Sequence, residues 1–196
     1  MPIEKINIMV ASSVYGFEDQ LKQICGLMEQ MGYHTINSHL RTMPTDPSQS
    51  NLDNCLEAVR NCDIFFGILR PFYGTGIIGE RSITHEEMKL AIELKKPRWF
   101  VVHRDIRVAR VLLKQFMSRE DGTLNPGFEY KATKLLDDIR LIDMYNDTIQ
   151  NNTPAAERVG HWTDEYFHLD EIISVIHTQF GDYDRISSII EKMKRL

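Results

Sequence analysis

The chain has 196 residues, 42% hydrophobic and 26% charged, which suits one globular domain and excludes a disordered or fibrous chain. Its formal charge of −5 argues against nucleic acid as a partner, since that binding draws on excess Lys and Arg. No apolar run approaches a bilayer span, and Met1-Pro-Ile-Glu-Lys5 lacks the apolar core of a secretory signal, so no membrane contact and a cytoplasmic location are expected.

Ile6 to Ala11 reads as a short buried strand, broken by Ser12-Ser13-Val14-Tyr15-Gly16. Leu21, Ile24, Cys25 and Met28 then recur at helical spacing, and Gly32 supplies a stop. His34 to Leu40 is a weaker strand, and the proline-bearing stretch Arg41 to Ser50 is a loop. Ser50 can cap the next helix, whose expected buried stripe is Leu52, Cys55, Leu56 and Val59. Asp63 to Leu69 is apolar almost throughout, as a strand covered on both faces of a parallel sheet should be. A glycine-rich loop, Arg70 to Arg81, leads into a helix from about Ser82 to Lys95, with Met88, Ala91, Ile92 and Leu94 toward the core. Trp99 to Val102 is the fourth strand.

Beyond His103 the expectations are a helix over Val108 to Phe116, a surface insertion over Ser118 to Gly127, and a helix over Glu129 to Asp138. Leu141 to Thr148 is taken as the last strand, followed by amphipathic helices around Leu169 to Phe180 and Ile186 to Met193. The last of these can pack on the domain or mediate self-association. Cys25, Cys55 and Cys62 have no metal-ligand spacing and read as reduced core residues, and no metal is expected.

Alternating strands and helices imply βαβ units. The expected fold is a three-layer α/β domain with a mostly parallel five-stranded sheet, flavodoxin-like in order 2-1-3-4-5, over residues 1–150, with a helical extension, 151–196, packed on it. In such sheets ligands bind beyond the carboxyl ends of the strands where the order reverses, here between the first and third. Ser12, Ser13 and Tyr15 leave the first strand there, and Arg70, Tyr73 and Gly74 leave the third. The helix starting near Ser82 points its N-terminus at the same end, and with these groups suits a phosphate or nucleotide. No Gly-x-x-x-x-Gly-Lys-Ser/Thr loop is present, and Gly74-x-Gly76-x-x-Gly79 follows the third strand instead of the first.

Met9 to Asp19, Asn54 to Ile64, Tyr73-Gly74 and Ser82 to Ala91, running on through Lys96-Pro97, together resemble a bacterial TIR-like domain of unknown function. They span about the first half of the chain. TIR domains and the related nucleoside deoxyribosyltransferases act on N-glycosidic bonds through one glutamate early in the helix after the third strand, with an alanine one turn later. Glu87 with Ala91 fits that pattern, and Glu86 with Leu90 fits it less well. The resemblance implies Glu87 as the catalytic carboxylate and Tyr73 as the aromatic after the third strand. It further implies NAD+ as substrate with no resident cofactor, an ADP-ribose-type product serving bacterial defence, and a homo-oligomer. Arg70 stands where a serine is common, and Thr84-His85 where Trp-Cys is usual.

Cleavage of a ribosyl bond passes through an oxocarbenium-like transition state that a carboxylate stabilises. Nicotinamide leaves NAD+ as a neutral molecule, so no second acid is required. A nucleoside deoxyribosyltransferase, or a non-catalytic module that senses a nucleotide or self-assembles, are the alternatives. Thr84-His85-Glu86-Glu87 equally fits a capping box, with Thr84 as N-cap and Glu87 reaching back to its N–H. Ser12 and Ser13 can be turn residues, and Arg70 can pair with Glu80.

Overall fold

Successive strand residues point to opposite faces, and in this chain both sets are apolar, so the sheet is buried on both sides. The structure, a computed structural model, describes residues 5–74, 81–118, 125–159 and 161–195. Its strands are β1 (Asn7–Ser12), β2 (His34–Ile36), β3 (Ile64–Leu69), β4 (Arg98–His103) and β5 (His161–Tyr166). All pairings are parallel, in the order β2-β1-β3-β4-β5. The helices are α1 (Glu18–Gln30), α2 (Asn51–Asn61), α3 (Ile83–Glu93), α4 (Arg104–Met117), α5 (Arg140–Thr148), α6 (Leu169–Phe180) and α7 (Tyr183–Met193).

One set of strand side chains, Ile8, Val10, Ile64, Phe66, Ile68 and Val101, packs against α1, α6 and α7. The other set, Met9, Ala11, Phe65, Leu69, Phe100 and Val102, packs against α2, α3 and α5. Ile186 and Ile190 of α7 belong to the first core, so the last helix packs on the domain. No helix among the described residues is long and apolar enough to cross a membrane.

The expected α/β fold and strand order are present, but the last strand is placed differently. Leu141 to Thr148 forms α5, because Leu141, Tyr145 and Thr148 recur at helical spacing and are buried together. The fifth strand is His161–Tyr166, so the sheet continues beyond a boundary at residue 150. Residues 129–138 are not helical; of them only Leu136 is buried, and it is held by Tyr130 and Thr133. The buried face of α2 is Asn54, Cys55, Ala58 and Val59, shifted from the expected stripe, and Leu94 at the end of α3 is exposed. Gly76, Gly79, Glu80 and residues 119–124 of the insertion lie outside the described residues.

Candidate active site

β1 ends in Ser12, and its chain turns over the end of β3. Ser13 donates through Oγ to the carbonyl of Phe72 at 2.6 Å, which ties the two strand-end loops together. Gly74 sits against Ser13 with φ of 96°; an added Cβ would be strained there and would lie 3.3 Å from Ser13 Cβ. Beneath these loops lies a cavity of about 400 Å³, within the range of small-molecule sites. Its walls are the Ser12–Tyr15 turn, Phe72 and Gly74, the loop after β2 through Asn37 and Thr45, α2 through Asn51, Asn54 and Cys55, and α3 through Ile83, Thr84 and Glu87. The first turns of both α2 and α3 reach it, and they bring the partial positive charge of two helix N-termini.

Glu87 is the sole carboxyl among the described residues of this wall. The true N-cap of α3 is Ser82, whose hydroxyl accepts from His85 N at 3.3 Å. Thr84 is therefore already inside the helix and Glu87 stands more than a turn from the cap, which removes the capping-box reading. Glu87 is buried, only 5% exposed, with its carboxyl beside Cys55 of α2. Burial raises the carboxyl pKa from the ordinary 4.5 to about 7, opposed by the hydrogen bond from the Cys55 thiol. Burial, reinforced by Glu87, pushes Cys55 up to about 12, so the thiol stays protonated and donates at neutral pH. Glu86 turns away and pairs with Arg81 at 3.0 Å.

Five of the residues singled out from sequence meet at this cavity: Ser12, Ser13, Tyr15, Gly74 and Glu87. Tyr15 is exposed at the rim and packs on Phe72. Ser12 and Ser13 spend their hydroxyl hydrogens on the carbonyls of Ser13 and Phe72, which leaves their oxygens as acceptors. Three others do not line it. Ser82 is the helix cap. Tyr73 is buried on the opposite side of α3, where its hydroxyl meets His85 Nδ1 at 2.8 Å and accepts from Ser82 N. His85 Nε2 in turn meets Asp147 of α5 at 2.9 Å, so this chain of bonds fixes the start of α3 against α5.

Arg70 works one layer behind the wall. Its Nη1 donates to Ser13 O at 2.8 Å and Tyr15 O at 3.1 Å, and the guanidinium lies 4.6 Å from the Phe17 ring centroid. It therefore holds the turn and does not line this cavity. Arg70→Ala is expected to cost about 1–2 kcal/mol in denaturant unfolding. Because the turn would slacken while Glu87 stays in place, KM for a cavity substrate should rise more than kcat falls. An equal fall in kcat at unchanged KM would show that Arg70 acts on the transition state directly.

Asn37, Asn54 and Cys55 were not anticipated at the site. Asn54 bonds to the 46–50 loop through Asp46 N, Asp46 O and Ser50 O, and Asn37 donates to Val10 O, so both amides shape the wall. The available signal was polar: asparagine on the buried face of a helix needs partners, and these lie in the adjoining loop. Among the described residues no group of His, Cys, Asp and Glu side chains is arranged to hold a metal.

The fold and cavity define a doubly wound α/β domain with one buried carboxyl at its switch point. The chain belongs to the DUF4062 family, a domain of unknown function, which it matches over residues 7–180. No curated protein matches it. Among solved structures it is similar to the CMP N-glycosidase BcmB of Clostridium botulinum, with a TM-score of 0.49 and 11% identity over 88% of this chain and 98% of that one. The likeness to TIR domains rests on the sequence resemblance alone.

Proposed function

We propose that the domain cleaves the N-glycosidic bond of a nucleotide, with NAD+ as the substrate and Glu87 as the carboxylate that stabilises the oxocarbenium-like transition state. Nicotinamide leaves with the electron pair of the bond, and water or another position of the same nucleotide bonds to the ribosyl carbon. The observation that carries this reading is the lone buried carboxyl of Glu87 in a polar cavity of nucleotide-binding topology. A low-dielectric surrounding strengthens the attraction between its ionised form and a developing ribosyl cation. No second acid lies on the described wall, which suits a leaving group that departs neutral, as nicotinamide does. The N-termini of α2 and α3 favour the phosphates of such a substrate.

Purified protein at high concentration, incubated with NAD+ and separately with a deoxynucleoside plus a free base, tests the reading by chromatography of the released base. Nicotinamide release that Glu87→Gln removes is the expected result. Base exchange on the deoxynucleoside without action on NAD+ would move the assignment to a deoxyribosyltransferase, in which Glu87 is the nucleophile. Turnover of neither would leave a non-catalytic nucleotide site and sink the proposal.

The ionised carboxylate is the active form, so activity should climb as pH passes about 7. Cys55→Ala removes the thiol that favours ionisation, and the rising limb should move to higher pH. Cys55→Ser retains a donor and should keep the limb near its wild-type place. A limb that ignores both changes would mean that another group sets it.

A further inference from the structure

Arg98 opens β4 at the end of the sheet opposite to the Glu87 cavity, and it is only 4% exposed. Its Nη1 donates to Lys96 O at 3.0 Å, and Nη2 has one long bond of 3.5 Å to Val159 O. Nε is buried with no partner, the only such side-chain nitrogen or oxygen among the described residues. Among the described residues no carboxylate compensates the charge, and burial draws its pKa down to about 10. A buried cation without a counter-ion is costly, and native chains seldom leave one so.

Arg98 borders a hollow of about 680 Å³ whose apolar side includes Ile92, Leu94, Val159 and Met193. Asn146 and Asn151 stand on its polar side. Arg110 fixes both amides, because its Nε donates to Asn146 Oδ1 at 2.6 Å and its Nη2 to Asn151 Oδ1 at 2.7 Å. With the oxygens committed, the Nδ2 groups are the unspent ends, and these are donors. Two acids also border the hollow. Asp147 is engaged by His85 at 2.9 Å and Lys89 at 3.8 Å, and Glu157 is exposed.

We propose that this hollow binds a small organic oxyanion, a carboxylate or phosphate carried on an apolar body, with Arg98 as its counter-charge and Asn146 and Asn151 as further donors. The guanidinium edge suits either oxyanion, and the aliphatic wall takes the body. The site is separate from the Glu87 cavity and independent of what that cavity does.

Calorimetric titration of the full chain with phenyl phosphate, benzoate and inorganic phosphate tests the proposal. An aromatic anion should bind more tightly than inorganic phosphate, and the two aromatic arms show which oxyanion the site prefers. Glu87→Gln should bind like wild type. Arg98→Met should weaken binding by roughly tenfold or more. Its melting temperature without ligand should hold or rise, since an uncompensated buried charge has been removed. Asn151→Leu, at an exposed position, should weaken binding with Arg98 still present. Three results would overturn the proposal: no binding of any of the three anions, binding lost in Glu87→Gln instead of Arg98→Met, or an Arg98→Met variant that melts lower and binds unchanged. The last would make Arg98 only a clamp on the Lys96 and Val159 carbonyls.

Discussion

Glu87→Gln is expected to lower base release by roughly a hundredfold to a thousandfold, the loss seen when a charge-stabilising group leaves a preorganised site. The same change should stabilise the fold above pH 7. In the folded chain the Glu87 carboxyl keeps its proton up to about 7, whereas an unperturbed one loses it near 4.5. Between those values the folded state holds more protons than the unfolded one, so stability falls as pH rises through the window. Above it the cost levels off on the order of 3 kcal/mol. Below pH 4.5 both states are protonated and the cost is gone. Glutamine carries no charge, and its amide oxygen can still accept from Cys55, so the variant lacks this slope. Denaturant unfolding of both proteins at pH 5 and pH 8, read as the difference between them, cancels the other titrating groups. A variant less stable at both values would show that Glu87 is a structural hydrogen-bonding residue, and undiminished base release would remove it from the chemistry.

What the sequence made legible follows how strongly a local pattern constrains a residue. β1, β3 and β4 are apolar on both faces, and their alternation with helices leaves few topologies. β5 is an edge strand, His161-Trp-Thr-Asp-Glu-Tyr166, and among residues 162–166 only Tyr166 is buried in the core. Its polar sequence hid it, and the Leu141–Thr148 stretch was taken in its place although its spacing was helical. The position of the site could be read because strand ends follow from topology. Side-chain direction could not, and Arg70 and Tyr73 leave β3 toward the Phe17 ring and toward His85 instead of the cavity. Cys55 fell on an apolar helix stripe and looked like core; only its contact with Glu87 across two helices gives it a role in the site. The capping-box alternative set the cap of α3 at Thr84, two residues past the actual cap, Ser82. That small shift decides whether Glu87 can reach the helix end at all.

Gly67→Ala, in the middle of β3, is expected to destabilise the fold by about 1–3 kcal/mol and to cost more in activity than in stability. The glycine is there for space, because a Cβ at this position would fall 2.6 Å from Phe100 Cδ1 and 2.9 Å from Met88 Cε. Phe100 is paired with Gly67 across the sheet, is fully buried, and packs against Phe65, so its ring has little room to retreat. Met88 can move more easily, but it follows Glu87 on α3. Pushing it outward shifts the helix that aims the carboxyl, and displacements near 1 Å at a reacting centre can cost about a hundredfold in rate. α3 is held on its other side by the Tyr73, His85 and Asp147 bonds, so the strain should concentrate at residues 87 and 88 instead of relaxing along the helix. A double-mutant cycle with Met88→Ala separates the two contacts. If α3 takes up the strain, Gly67→Ala should cost less when Met88 is already truncated, and its effect on turnover should shrink with it. Additive costs, with turnover falling no further than stability explains, would place the strain on Phe100 alone and leave the carboxyl undisturbed.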